Sequence, residues 1–91
     1  MKLIWTKHAT ERQQEWEQRK GIQRSDVEAV AQSPEQIVPD DPPVEIAQSR
    51  YAEGLLRIPF VDEADQRRLV TVYWTSQVKR YWRGEDRADS L

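Results

Sequence analysis

The chain has 91 residues and a formal net charge of −2, from 14 Lys and Arg against 16 Asp and Glu, so one compact domain with a single core is expected. The absence of cysteine and the presence of one histidine exclude a disulfide framework and a structural zinc site. The longest apolar runs, such as 3–5 and 72–74, fall far short of the ~20 residues a membrane span needs, and Lys2, Lys7, Glu11 and Arg12 interrupt any signal-peptide core, which makes a cytoplasmic protein the default expectation. Core material is thin: Leu, Ile, Val and Phe make up 19 of the 91 residues, close to the ~20% found in disordered chains of high charge. Low net charge, four Trp and three Tyr tip the balance toward folding.

Residues 2–6 alternate weakly and read as a first strand. Thr6 then caps a helix over 7–20, with Gly21 as its left-handed stop. Ala9, Gln13 and Trp16 form the best buried stripe of that helix, and His8, Arg12, Glu15 and Arg19 share another face. Ser25 and Glu28 have the spacing of a capping box and open a second, short helix. Val27, Val30 and Ala31 would face inward until Ser33-Pro34 ends it.

From there the period switches to two. Strands are expected over 35–38, 44–52, 55–61 and 67–75, with a stiff proline-flanked connection at 39–43, a hairpin turn at Glu53-Gly54 and a loop at 62–66. The order β-α-α-β-β-β-β predicts an α+β domain over 1–84, two helices packed on one face of a small antiparallel sheet of four to five strands. A polar tail, 85–91, would follow.

Charge is sorted along the chain. Residues 25–49 hold six acidic groups and no basic one, whereas 66–84 hold five basic groups and no acid. Either these are ordinary solvated faces or the molecule has a basic side suited to an anion. A turn at Glu53-Gly54 would place Arg50 directly opposite Arg57, with Ala47, Tyr51, Leu56, Ile58 and Phe60 on the core side. Two guanidinium groups side by side repel, unless an anion or a carboxylate sits between them or both splay into water. Val70, Val72 and Trp74 should join the core, leaving Thr71, Tyr73 and Thr75 on the side of the two arginines. Pro59 withholds a hydrogen bond there and favours an edge or a bulge.

Residues 73–83 interleave aromatics with cations, a mixture that supplies base stacking and phosphate charge together. Trp74 and Trp82 read as core residues; for Lys79, Arg80 and Tyr81, plain exposure and function are both open. His8, at a helix start, is a candidate base or simply a surface residue. The pair Asp40-Asp41 reads as a solvated loop rather than a cation site. No metal or cofactor is called for.

His8-Ala9-x-x-Arg12, Gly21-Ile22-x-x-Ser25-Asp26-Val27, the run 69–73 and Arg80-Tyr81-Trp82 together resemble a small bacterial family of unknown function within the RelE/ParE toxin-like superfamily, alongside BrnT-type proteins. The resemblance covers roughly residues 3–83. It implies a toxin of a type II pair with a small antitoxin protein as partner. RelE-type members cleave mRNA, often on the ribosome, by a metal-independent attack of the 2′-hydroxyl, whereas ParE relatives poison DNA gyrase. Arg80-Tyr81 matches the C-terminal catalytic pair of the RelE kind, and Arg57 its sheet cation.

The expected roles follow. Arg57, Arg80, Tyr81 and His8 are the catalytic candidates; Arg50, Tyr73, Lys79 and Arg12 are the substrate-binding ones. Arg50 and Arg57 would hold the scissile phosphate, Tyr81 or His8 would move a proton, and Tyr73 would stack a base. The alternatives are a non-catalytic protein-binding module of the same fold, self-association into a homo-oligomer included, and a gyrase inhibitor.

Overall fold

Thr6 ties the first helix to the sheet. Its hydroxyl accepts from the Ala9 amide at 3.1 Å and donates to the Leu69 carbonyl at 2.8 Å, so a single side chain caps α1 and joins it to a strand 63 residues away. In the computed structural model, which describes residues 1–84, β1 (Lys2–Trp5) leads into α1 (Lys7–Lys20), α2 (Arg24–Gln32), β2 (Gln36–Pro39) and β3 (Glu45–Tyr51), followed by β4 (Gly54–Glu63), β5 (Gln66–Leu69), β6 (Tyr73–Thr75) and α3 (Val78–Tyr81). The expected tail at 85–91 lies outside the described residues. No helix among them is long and apolar enough to cross a membrane.

Gly21 ends α1 with φ at +72° and returns its amide to the Glu17 carbonyl at 2.8 Å. The capping box of α2 sits two residues upstream of the expected one. Asp26, not Glu28, reaches back, its carboxylate accepting from the Gln23 amide at 2.8 Å at the positive end of the helix. Glu28 is drawn elsewhere: it accepts from the Trp5 indole at 3.0 Å and pairs with Arg24 at 3.5 Å.

The sheet order is β1-β5-β4-β3-β2, and β6 pairs with β4 beyond the end of β5. The fold is α+β as expected, but the sheet is mixed rather than antiparallel. β1 runs parallel to β5, with two helices and three strands between them as the long connection that parallel neighbours require. The single strand expected over 67–75 is also divided. Phe60 pairs with Leu69, yet Arg57 pairs with Tyr73, so residues 70–72 carry one more residue than the stretch of β4 they face. Pro59 has no amide to donate, and its carbonyl takes the Val70 amide at 2.8 Å instead. This bulge switches the alternation: Leu69 and Val72 are fully buried and Val70 is only half-buried, where Val70 was expected in the core.

The β3–β4 hairpin corrects a second expectation. Its two-residue turn is Ala52-Glu53, both with positive φ (49° and 62°), the geometry that suits the twist of the strands. Gly54 lies in β4, opposite Tyr51, because β6 passes where a side chain would stand. A Cβ there would fall 2.2 Å from the Thr75 carbonyl and 2.5 Å from the Trp74 ring. The slip places Leu55 opposite Arg50 and Gln48 opposite Arg57, so the two arginines do not face each other across the ladder. Because the slip is by two, each residue keeps its face.

Ala47, Leu56, Ile58 and Phe60 accordingly meet Ala9, Val27 and Ala31 of α1 and α2 in one core. The other face, expected to lack helices, is partly covered. The short α3 and residues 82–83 fold over it, Gln48 donating to the Tyr81 carbonyl at 3.0 Å, and Trp82 is buried there rather than in the main core.

Candidate functional site

Arg57 stands on the face of β4 turned away from α1 and α2, and only 4% of it is exposed. A buried cation is tolerated when its donors are satisfied. Nε donates to Oε1 of Gln48 at 2.8 Å, Nη1 donates to the Tyr73 hydroxyl, and the Tyr81 ring covers the guanidinium with its centroid 4.0 Å away. All of these partners are neutral. The ion pairs between described residues go to Arg12, Arg24, Arg67 and Arg68. Nη2 makes no hydrogen bond among the described residues. Among the described residues every fully buried side-chain nitrogen and oxygen has a partner, so this nitrogen keeps some exposure, and Arg57 lines the cleft beside it.

Gln48, itself 0% exposed, is fixed in turn. It donates to Oε1 of Gln36 at 2.8 Å and to the Tyr81 carbonyl. Gln36 donates to the Arg83 carbonyl at 2.7 Å and accepts from the Arg83 amide at 3.1 Å, much as a neighbouring strand would. Two amide side chains thus clamp the C-terminal segment over Arg57 and hold the aromatic cover in place.

The cleft has a volume of about 380 Å³. Arg57, Arg80, Arg83, Tyr73 and Tyr81 line it on an apolar floor that includes Ile46 and Pro59, and Asp40 supplies a carboxylate. Burial pushes the Tyr73 phenol above its ordinary value, Arg57 opposing this and the Asp40 charge adding to it. Tyr73 therefore keeps its proton at neutral pH. With its oxygen already accepting from Arg57, that proton is available to a ligand.

Of the eight residues singled out from the sequence, the fold gathers Arg57, Tyr73, Arg80 and Tyr81 around this cleft. Arg50 lies on the same face, its guanidinium 4.5 Å from the centroid of the Trp82 ring, and shares a separate depression with Lys79. The facing pair of Arg50 and Arg57 does not exist. His8 is exposed on α1, across the sheet from Arg57, and Arg12 pairs there with Glu15 at 2.6 Å. Neither joins the cleft. Sequence reasoning did not single out Gln36 or Gln48; Arg83 ends the 73–83 run of cations and aromatics but was given no role. No cluster of three or more His, Cys, Asp or Glu able to hold a metal ion occurs among the described residues.

Comparison of the chain with protein-family models, with characterised proteins and with solved structures finds no match.

Proposed function

We propose that this chain is a toxin-like protein of the RelE kind that binds RNA and cleaves it without a metal, holding the scissile phosphate against Arg57. The observation that carries the reading is a buried guanidinium with neutral partners that lines a cationic cleft. A phosphodiester fits such a seat. Nη2 of Arg57 and the Tyr73 hydroxyl donate to its oxygens, and Arg80 and Arg83 add charge from the rim.

In this reading the 2′-hydroxyl gives its proton to the Asp40 carboxylate as its oxygen attacks phosphorus. The bond from phosphorus to the 5′-oxygen breaks, and Tyr73 donates its proton to that leaving oxygen. The products are a 2′,3′-cyclic phosphate and a 5′-hydroxyl. Arg57, already bonded to the phenol oxygen, meets the negative charge left there until water restores the proton. A small antitoxin that masks the basic cleft is the partner this reading calls for.

The test is incubation of the purified protein with RNA in excess chelator. Cleavage with cyclic-phosphate ends is expected, and Asp40→Asn or Tyr73→Phe should lower the rate by about 10²-fold while RNA stays bound. One observation favours a second reading, a binding module without catalysis: His8, the one imidazole of the chain and a candidate base, is exposed on α1 and does not line the cleft. RNA bound through Arg57 and left intact would select that module, and absence of RNA binding would sink both.

A further inference from the structure

Resting on the RNA reading of the cleft, we infer that the cleft is one end of a track for single-stranded RNA, which runs past α3 and β6 to the last turn of α1. Three depressions adjoin. The cleft shares Arg80 with a depression of about 520 Å³ along residues 76–80. That one shares Ser76 with a third, of about 370 Å³, where Trp16, Arg19 and Lys20 of α1 meet Trp74 and Thr75 of β6.

Charge marks the path. Arg19, Lys20, Arg57, Lys79, Arg80 and Arg83 line it, and among the described residues Asp40 is the one carboxylate that does, on a chain whose net charge is −2. None of these six enters an ion pair between described residues, whereas four arginines elsewhere do. At the far end the cations rest on indole rings instead. Arg19 lies 4.4 Å from the centroid of Trp16, and Lys20 lies 3.7 Å from that of Trp74. A ring orients a cation without neutralising it, so both charges remain available to phosphates.

The shape selects the strand. α3 has four residues and spans only about 6 Å, so the seats on its two sides lie within a few nucleotides of each other. A flexible single strand can enter successive depressions and set its phosphates on these cations. A duplex is a stiff cylinder with its bases stacked inside, and it cannot follow such a path.

Fluorescence anisotropy with 2′-O-methyl RNA, which lacks the attacking hydroxyl, tests this on the intact chain. The probes are a dinucleotide, a long uridine strand, and the same strand annealed to its complement. The long strand should bind about tenfold or more tighter than the dinucleotide. Changing Arg19→Gln and Lys20→Gln together should cut that ratio about tenfold and flatten the dependence of log affinity on log salt by ~1.4, at about 0.7 per lost phosphate contact. Removing two cations off the track, the exposed Lys7 and the half-buried Arg68, by Lys7→Gln with Arg68→Gln should leave ratio and slope unchanged, and circular dichroism checks that both double variants fold. A ratio untouched by Arg19→Gln/Lys20→Gln, or a duplex bound as tightly as the single strand, overturns the track and spares the cleft. Failure of the dinucleotide to bind, or its binding unchanged in Arg57→Met, overturns the RNA reading beneath it.

Discussion

Two arginines are buried in this sheet, one on each face, and the fold uses them in opposite ways. Arg67, 7% exposed, grips both carboxylate oxygens of Asp62 at 2.8 and 2.9 Å, donates to the Ala31 carbonyl of α2 at 2.9 Å, and lies 4.0 Å from the Phe60 ring centroid. Its charge is neutralised, and its hydrogen bonds hold a helix to the sheet. Arg57, 4% exposed, has an amide, a phenol and a ring around it, and lines a cleft. Burial alone therefore does not separate an arginine that ties the fold together from one proposed to bind. The partner does: a carboxylate closes the site, and neutral partners leave a charge that an anion can complete.

The sharpest way to break that contrast is to remove each charge in turn. Arg67→Met leaves the Ala31 carbonyl without its donor and Asp62 without its cation, and should destabilise the fold by about 3 kcal/mol in urea denaturation. Arg57→Met should cost about 1 kcal/mol, since the lost hydrogen bonds are offset by release of a buried charge, yet abolish most RNA binding in anisotropy. Equal stability losses would end the distinction. A subtler change converts one site into the other. Gln48→Glu gives Arg57 the carboxylate that Arg67 already has, so RNA affinity should fall about tenfold; it also takes the donor from Gln36 Oε1 and the Tyr81 carbonyl, so the urea midpoint should fall as well. Unchanged affinity would mean that the charge of Arg57 is not what the ligand meets.

How much of this was written in the sequence depends on how local the controlling chemistry is. α1 was legible residue for residue, because Thr6 and Gly21 act on the backbone beside them. The hairpin was not. Gly54 looks like a turn residue by its neighbours, but Trp74 and Thr75, twenty residues on, are what require it, and the turn falls on Ala52-Glu53 instead. Pro59 announced an interruption without saying which residue would be left over on the facing strand, so Val70 was expected where Leu69 lies. Around the cleft, Tyr73, Arg80 and Tyr81 stand in the run of cations and aromatics, whereas Arg57 was singled out through a pairing with Arg50 that the fold does not make. Gln48 and Gln36 were not legible, since a neutral amide shows its purpose only through the partners the fold supplies. The opposed pair of Arg50 and Arg57 failed for the same reason as the turn.

The smallest effect separates the two arginines by pH. The bidentate hydrogen bond from Arg67 holds the Asp62 carboxyl below its usual range, outweighing the opposite push of burial. A carboxyl lowered on folding stabilises the native state at every pH above its unfolded value, about 3.9, and that stabilisation is lost as pH falls through the lower, folded value. Wild type should therefore exceed Asp62→Asn in urea midpoint by a constant amount at neutral pH, and the gap should close only below about pH 4. Arg57 has no such carboxylate, so Gln48→Leu should differ from wild type by the same amount across that acid range. A gap for Gln48→Leu that closes in acid would mean that Arg57 leans on an ionised carboxyl after all, and the neutral setting on which the proposed phosphate seat rests would be lost.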